Sequence, residues 1–298
     1  MTTFAEDHLP EGQKIIQTHN VKRCRSFLHL LTDPERSTPT MGVITAPAGT
    51  GKTIATQYYL DSLVPHLHTA LPIAIKLKVM PRSTPRALAK TVLDGLQEKP
   101  KGRNIYEMAD EAARAIERND LKLLVVDEAD RLNEDSFEVL RHLHDKTGCP
   151  IVLVGLPSIL RVIECHEKFS SRVGLRMQFL PLELEEVLTV VLPELVIPRW
   201  TYDPNNTADQ LLGTDIWNRV NPSLRKLVSL LELASQTAKI QKATIISKTT
   251  IEDAFQWMAT QEDQKRSRKK KTKTDKEEKG KHESTSEERR EGKEKPSE

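Results

Sequence analysis

The sequence predicts an α/β protein in which a parallel sheet, covered by helices on both faces, precedes a small all-helical subdomain and a charged tail. Three observations lead to this prediction. Short apolar runs typical of buried strands alternate with helix-like segments as far as residue 181, and helical periods then dominate residues 182–260. Residues 261–298 contain almost no apolar side chains, so they cannot offset the entropy of ordering and should be disordered.

The predicted elements divide the chain into four parts. Apolar residues among polar ones indicate one or two helices near the start, so residues 1–40 form an N-terminal helical segment. The α/β core occupies residues 41–181, and residues 182–260 and 261–298 supply the helical subdomain and the tail. The strand-like runs of the core lie at residues 41–45, 71–80, 121–127, 150–155 and 176–180.

The charge distribution excludes one broad class of function. The chain carries 45 Lys and Arg against 43 Asp and Glu, which is nearly balanced. Residues 264–298 hold 14 of the basic and 9 of the acidic side chains, so the remainder is slightly acidic, with 31 against 34. A globally basic nucleic-acid-binding body is therefore excluded, and any DNA contact must come from a local patch or from the tail. The basic cluster at 265–273 could bind DNA or an acidic partner, or could simply be solvated.

Composition also sets expectations for location and redox state. No apolar run is long enough for a membrane span and no leading segment resembles a secretory signal, so we expect a cytoplasmic protein without a membrane partner. The three cysteines, Cys24, Cys149 and Cys165, lack metal-ligand spacing, and we expect them to be reduced thiols.

A glycine-rich loop follows the first predicted strand. Residues 46–53 read Ala-Pro-Ala-Gly-Thr-Gly-Lys-Thr between that strand and a helix-like run. The backbone N–H groups of such a loop surround phosphates, Lys52 reaches the β/γ oxygens and the Thr53 hydroxyl coordinates Mg²⁺. Ala46 replaces the motif's first glycine and restricts the backbone angles there. The sequence predicts ATP binding by Ala48, Gly49, Thr50, Gly51, Lys52 and Thr53.

A second motif carries two carboxylates at the end of a strand. Leu-Leu-Val-Val-Asp-Glu-Ala-Asp occupies residues 123–130. In a nucleotide-hydrolysing site, Asp127 would hold Mg²⁺ and Glu128 would polarise the attacking water. Together, the two motifs predict an ATPase that uses Mg²⁺.

A phosphate-loop core followed by a small helical lid resembles the AAA+ ATPases. The resemblance implies that nucleotide sits between core and lid and that a neighbouring subunit supplies an arginine finger. The segment Phe-Ser-Ser-Arg-Val at 169–173 resembles the finger segment, which assigns this role to Arg172, with Arg176 as substitute. An arginine there stabilises charge on the transferring phosphoryl group, whereas the alternative is an ordinary surface ion pair.

The same resemblance assigns two sensing positions. The segment Asn-Pro-Ser-Leu-Arg-Lys-Leu at 221–227 resembles the second-sensor motif, so Arg225, or else Lys226, would contact the γ-phosphate. The first sensor should be a polar residue after the strand at 151–155. This chain has Leu156 there, so either Ser158 substitutes or sensing is reduced.

Within the AAA+ proteins, residues 20–260 resemble the transposition regulators of the TnsC, TniB and MuB group. The resemblance lies in residues 123–132, in Ile-Val-Leu-Val-Gly-Leu-Pro at 151–157, and in the finger segment before a Phe-Leu-Pro-Leu strand end. It implies homo-oligomeric filaments or rings on double-stranded DNA with ATP, in the bacterial cytoplasm. It also implies a transposase and a target-selection protein as partners.

Basic side chains on two loops are candidates for the DNA contacts. In a ring or filament around DNA, the loop after the second strand and the following basic turn should face the channel and track phosphates. We rank Arg86 and Arg103 highest because both lie at loop–helix junctions; a solvated basic face is the alternative. The candidates are Lys76, Lys78, Arg82, Arg86, Lys101 and Arg103.

Three alternative interpretations of the sequence exist. Asp-Glu-Ala-Asp at 127–130 is the signature of DEAD-box helicases, but the next strand ends in Gly155, Leu156 and Pro157, without their Ser-Ala-Thr motif. An AAA+ loader or origin-recognition-type ATPase that acts on a protein partner shares the same core and finger. A nucleotide-dependent scaffold with little hydrolysis is the non-enzymatic alternative.

Overall fold

The computed structural model describes residues 15–258, except residues 34, 36–39 and 64–72. The predicted tail at 261–298, with its basic cluster, therefore lies outside the described residues, as do residues 1–14 of the predicted N-terminal segment.

Five parallel strands form one sheet, as the alternation of strands and helices predicts. The strands are β1 Met41–Thr45, β2 Ala74–Lys78, β3 Leu123–Asp127, β4 Ile151–Gly155 and β5 Val173–Gln178. Their order in the sheet is β2-β3-β4-β1-β5, and every neighbouring pair is parallel. Every residue of β1, β3 and β4 is buried, which is typical of parallel strands covered on both faces.

Helices pack on both faces of this sheet. They are α1 His19–Thr32, α2 Lys52–Asp61, α3 Pro85–Gly95, α4 Ile105–Arg118, α5 Glu134–Thr147, α6 Ile159–Glu164 and α7 Glu167–Ser170. Val43 and Leu124 face one apolar cluster, which contains residues of α3, α4 and α5. Ile44 and Val125 face another cluster, which contains residues of α1 and α2. Successive strand residues thus serve opposite faces. The predicted α/β fold class is confirmed.

Local capping explains where several helices begin. Thr84 Oγ1 accepts a hydrogen bond from Ala87 N at 3.2 Å, and Pro85 occupies the first helical position of α3. Asn104 and Asn133 cap α4 and α5 in the same way. These starts fix where the loops that follow β2 and β3 end.

The chain after β5 is helical wherever it forms regular structure in the described part. It contains α8 Leu184–Glu186, a π-helical segment Val187–Val191, α9 Leu192–Glu194, α10 Thr207–Val220 and α11 Leu224–Ile240, and residues 248–258 are also helical. Among the described helices, none combines the length and apolar character that a membrane crossing requires.

The chain divides into two compact units. One holds the sheet, the chain to Leu195 and the segment Tyr202–Leu227. The other holds Val196–Thr201 and the chain from Val228 onward, where Ile246 N donates to Arg199 O at 2.8 Å. The start of α11 therefore belongs to the same unit as the sheet. The predicted division at residues 40, 181 and 260 stays a prediction.

Candidate functional site

The loops that follow β1, β3 and β4 meet at the carboxyl edge of the sheet. These strands are neighbours, and the register pairs Thr45 with Gly155 and Asp127 with Val154. In open parallel sheets, ligands bind at this edge, in the crevice outside the strand ends. The predicted phosphate loop, the two carboxylates and the first-sensor turn are thereby brought together.

The glycine-rich loop has the backbone that its sequence predicts. Gly49 and Gly51 adopt φ values of +81° and +92°, a region that glycine reaches without steric cost. Gly51 precedes α2, and its carbonyl accepts from Ala55 N at 2.9 Å. Ala46, which replaces the motif's first glycine, continues the β1 ladder by donating from its N–H to Gly155 O at 3.2 Å. The φ of Ala46 is not positive, so alanine fits this position without backbone strain.

Lys52 lies inside the curve of this loop. Its Nζ donates to Ala46 O at 3.2 Å and to Pro47 O at 3.3 Å. Burial lowers the pKa of Lys52, while the nearby carboxylates of Asp127 and Asp130 act in the opposite direction. The ammonium is thus positioned among the groups that the sequence assigns to phosphate and metal.

The two carboxylates after β3 have different surroundings. Asp127 is 2% exposed, and its Oδ1 accepts from Glu128 N at 2.9 Å. Glu128 has a left-handed backbone with φ of 57° and is more exposed. Its carboxylate forms an ion pair with Lys78 at 3.2 Å and another with Arg131. Asp127 is fixed by the strand end, whereas Glu128 is held by two cations.

Lys76, a candidate for DNA binding in the sequence, lies instead beside Thr53 and Asp127. Its Nζ donates to Thr53 O at 2.7 Å and lies 3.7 Å from Asp127 Oδ2. Burial lowers its pKa, and Asp127 opposes that shift. Lys76 and Lys78 both lie on β2, the neighbour of β3, and share one face because strand side chains alternate. The spacing of two residues between Lys76 and Lys78 is the signal in the sequence that could have linked both lysines to Asp127 and Glu128.

Asp130, the last residue of the DEAD-like motif, ties two loops together. Its Oδ1 accepts from Leu156 N at 2.9 Å, at the first-sensor turn. A Cβ on Gly155 would lie 2.8 Å from the same oxygen, so glycine is needed for this approach. Leu156 is 37% exposed, and Ser158 is the N-cap residue of α6 but makes no side-chain capping bond. Asp130 therefore joins the loop after β3 to the loop after β4, and this role does not depend on the interpretation of residues 127–130 as a helicase motif.

The start of α11 contacts the phosphate loop directly. Arg225 N donates to Gly49 O at 3.1 Å. A Cβ on Gly49 would meet Ser223 Oγ at 2.5 Å and Arg225 Cβ at 3.3 Å. The charge of Arg225 also acts on Lys52 and lowers its pKa. The structure thus brings the predicted second-sensor residue to the loop.

Arg172 lies at the other edge of the sheet from the phosphate loop. Met41 N donates to Arg172 O at 2.9 Å, at the beginning of β1, while the loop follows the end of that strand. A five-residue strand separates the two edges by about 13 Å. The guanidinium is paired with Asp145 at 2.5 and 2.7 Å. Arg176, the predicted substitute, lies 3.4 Å from Glu164.

The basic side chains predicted to bind DNA fall into two groups. The guanidinium of Arg86 donates to the carbonyls of Gly102 and Arg103, which joins two separate loops into one basic surface. Lys101 and Arg103 are exposed on that surface. Arg82 is also exposed, with φ of 60°. Lys78, in contrast, lies beside Glu128.

Carboxylates from α4 fix the backbone of the basic turn. Glu111 Oε2 accepts from Lys101 N and from Gly102 N at 3.0 Å each, and Glu107 Oε2 accepts from Arg103 N at 2.6 Å. These bonds lower the pKa of Glu111. Sequence reasoning missed this support, because a carboxylate about ten residues away carries no local signal for it.

Comparison with known proteins agrees with this geometry. Residues 35–163 match a family model described as an AAA domain. The chain has the AAA+ P-loop fold. A segment of 66 residues is 30% identical to a potential ATP-binding protein of Staphylococcus aureus and covers 22% of this chain and 24% of that relative. These two matches support an ATP-binding protein of the ATPase type.

Solved structures show the same AAA+ fold. An Orc1 protein of Aeropyrum pernix in complex with DNA superimposes with a TM-score of 0.59 at 17% identity, covering 80% of this chain and 64% of that one. The Orc2 protein of A. pernix in ADPNP–ADP complexes gives 0.61 at 14% identity, covering 85% and 70%. Cdc6p from Pyrobaculum aerophilum gives 0.61 at 16% identity, covering 84% and 69%. At such identities, the likeness concerns the fold.

Proposed function

We propose that this protein is an ATPase that assembles on double-stranded DNA and, with a target-selection protein, recruits or activates a transposase there. The observation that carries the proposal is the placement of site residues at opposite edges of one sheet. The phosphate loop, Asp127 and Glu128 lie at the carboxyl edge, and Arg172 lies at the amino edge. One chain therefore presents two halves of a site that a neighbouring chain can complete. Such a protein acts in the bacterial cytoplasm.

The carboxyl edge has the groups that ATP and Mg²⁺ require. The loop amides and Lys52 would hold the phosphates, and Thr53 and Asp127 would hold the metal. Thr53 and Asp127 lie near each other, because Lys76 contacts both of them. When bound, Mg²⁺ neutralises charge on the β and γ oxygens. Glu128 would polarise the attacking water once its carboxylate leaves Lys78 and Arg131.

Two arginines would complete the site. Arg225 starts a helix against the phosphate loop, so its side chain would contact the γ-phosphate of its own subunit. Arg172 would contact the γ-phosphate of the neighbour and stabilise charge in the transition state. The opposite placement of Arg172 and the loop supports a role between subunits rather than within one.

The basic surface supports binding to the DNA backbone. Arg86, Lys101 and Arg103 are exposed on a turn whose backbone is fixed, and such side chains bind phosphates without reading sequence. Arg82 would add to this contact from the loop after β2. The Orc1 neighbour, which was solved in complex with DNA, has the same fold. Sequence-independent, salt-sensitive binding is the expected behaviour.

The likeness to Orc and Cdc6 structures favours a second candidate, a loader or origin-recognition-type ATPase that acts on a protein partner. A third candidate, a scaffold that binds ATP but hydrolyses little, is favoured by Leu156, an apolar residue where the first sensor should be polar. The loader differs from the proposed function in whether DNA and nucleotide are both required for assembly, whereas the scaffold differs from it in turnover.

Negative-stain imaging with double-stranded DNA separates the proposed function from the loader. Samples without nucleotide, with ATP and with a non-hydrolysable analogue are compared. Filaments or rings that require both DNA and nucleotide support the proposal. Monomers in every condition, with ATP still bound, contradict it and favour the loader.

The Glu128→Gln variant separates the enzyme from the scaffold. Glutamine keeps the size of the side chain but cannot act as a base, so turnover should be abolished while ATP-dependent assembly on DNA persists. Wild-type turnover no higher than that of the variant would favour the scaffold. Loss of assembly in the variant would count against the proposed role of Glu128.

A further inference from the structure

We infer that Asp145 is a latch for the arginine finger: it holds Arg172 inside its own subunit, so that the finger is released only when a neighbouring nucleotide site competes for it. This inference rests on the proposed function, in which Arg172 completes the site of the next subunit. It adds a positioning residue that no sequence motif singles out, since Asp145 lies 27 residues before Arg172 and on another element.

All three guanidinium nitrogens of Arg172 take part in hydrogen bonds inside the subunit. Nε donates to Asp145 Oδ1 at 2.5 Å and Nη2 donates to Oδ2 at 2.7 Å, a two-pronged pair. Nη1 donates to the carbonyl of Lys168 and lies 3.4 Å from Ser171 Oγ. A guanidinium must point its N–H groups at a phosphate to stabilise it, so Arg172 has to leave Asp145 first.

The surroundings of Asp145 make that release reversible. Arg141 Nη1 lies 3.1 Å from Asp145 Oδ2, so the carboxylate keeps a cationic partner after Arg172 has left. Arg141 is itself held by Glu138 at 2.7 Å. Arg172 and Asp145 are each about a third exposed, so water also reaches both groups. An exposed pair of this kind is weak, which suits a device that must open.

Electrostatics support the same reading. The bond to Arg172 lowers the pKa of Asp145, and Asp145 raises the pKa of Arg172. The carboxylate therefore stays ionised at neutral pH and keeps competing with any anion that approaches the finger. A nucleoside triphosphate bound to a neighbouring subunit carries more negative charge than Asp145. It can displace Asp145 from Arg172 only when the interface between the subunits brings it close to the guanidinium.

The latch lowers the fraction of subunits whose finger is free, so it should raise the protein concentration needed for activity. Asp145→Asn removes the charge and half of the pairing. With DNA and saturating ATP, this variant should reach half-maximal turnover at a protein concentration about two- to fivefold lower than the wild type, as expected for an exposed pair. Asp145→Ala, as a second variant, should act in the same direction.

Glu98→Gln is the matched control. Glu98 forms an exposed ion pair with Arg118 at 2.8 Å and takes no part in the contacts described for Arg172, Asp145 and Arg141, so its loss should leave the concentration dependence unchanged. Arg172→Ala combined with Asp145→Asn provides the coupling test. Because Arg172→Ala subunits have no turnover of their own, this comparison uses the protein concentration needed for ATP-dependent assembly on DNA. If the latch acts through the finger, Asp145→Asn shifts that concentration only while Arg172 is present.

Mixing subunits distinguishes failure of the latch from failure of the proposed function. Glu128→Gln subunits have an intact finger, and Arg172→Ala subunits have an intact site, so a mixture should recover activity that neither has alone. Recovery together with the shift in Asp145→Asn supports the latch. Recovery without that shift, or a shift that survives the loss of Arg172, overturns the latch alone. Absence of recovery overturns the shared site and the latch with it.

Discussion

Lys76 Nζ lies 3.7 Å from Asp127 Oδ2, and both side chains are largely buried beneath the phosphate loop. The same ammonium donates to Thr53 O at 2.7 Å. Lys76 thus links Thr53, at the end of the phosphate loop, with Asp127, at the end of β3. Neither Lys76 nor Asp127 can be removed without leaving the other short of a partner.

We expect Lys76→Met to lower the free energy of unfolding by about 1–3 kcal/mol, because it leaves the Asp127 carboxylate buried without its nearest cation. Asp127→Asn in the same background should recover part of that loss. Urea unfolding of the two single variants and the double variant measures the coupling. Lys122→Met is the surface control, since Lys122 pairs with Asp120 in the open. Equal losses for Lys76→Met and Lys122→Met would contradict the buried link.

Gly49→Ala should weaken ATP binding about tenfold, since φ of +81° strains a side chain there and its Cβ would meet Ser223 Oγ at 2.5 Å. Binding of a fluorescent ATP analogue measures the effect. Adding Ser223→Ala should restore only part of the affinity, because the backbone strain remains. Gly95→Ala, at the end of α3 with no positive φ, is the control and should bind normally. Normal affinity in Gly49→Ala would refute the described loop geometry.

Lys78→Met tests which of two roles this lysine has. Its ion pair with Glu128 at 3.2 Å predicts that removal frees the carboxylate to accept a hydrogen bond from water, so turnover should rise a few-fold while DNA affinity stays the same. Steady-state ATPase rates and DNA titrations are measured on one preparation. A loss of DNA affinity at constant turnover would instead support Lys78 as a phosphate contact.

DNA binding by the basic turn should change in different ways when a cation of the turn is removed and when the carboxylate that holds its backbone is removed. Arg103→Ala should lower the slope of log affinity against log salt by about one, as expected for one lost phosphate contact. Glu111→Gln should weaken DNA binding several-fold with the slope unchanged, because it loosens the backbone of Lys101 and Gly102 without removing a cation.

Titration of a labelled duplex at several salt concentrations distinguishes these two effects. Glu117→Gln, on the exposed side of the same helix, is the control and should bind as the wild type does. Unchanged binding in both Arg103→Ala and Glu111→Gln would mean that this turn is only a solvated surface.

Thiol labelling should distinguish the three free cysteines. Burial raises the pKa of Cys24 and of Cys149 to about 12, whereas Cys165 is exposed. In the native protein at neutral pH, a maleimide should therefore modify Cys165 first, and the other two should react only after urea is added. Mass spectrometry of peptides reads the sites. Rapid native labelling of Cys24 would show that α1 opens readily.

The parts of the structure that local sequence determines were predictable. β1 has the predicted extent and β4 differs from its prediction by one residue, because each is a short apolar run that ends in a loop motif. α3 begins at Pro85, as an N-cap threonine followed by proline indicates. Asp127 could be placed at a strand end for the same reason.

What the sequence did not reveal depends on pairing between distant elements. The prediction set Lys76 and Lys78 on a DNA-facing loop, but β2 lies beside β3 and brings them to Asp127 and Glu128. Strand order in a sheet is not encoded in any one segment. Arg172 was singled out by its motif alone, and its partner Asp145 comes from a different helix.

In the proposed assembly, the opposite placement of Arg172 and the phosphate loop gives the row of subunits a direction. Contacts between unlike faces repeat head to tail, so an open chain of subunits has two chemically different ends. At one end, a nucleotide site has no arginine from a neighbour; at the other, an arginine has no site to serve. The terminal nucleotide should therefore be hydrolysed last, and growth and shrinkage should occur at different rates at the two ends.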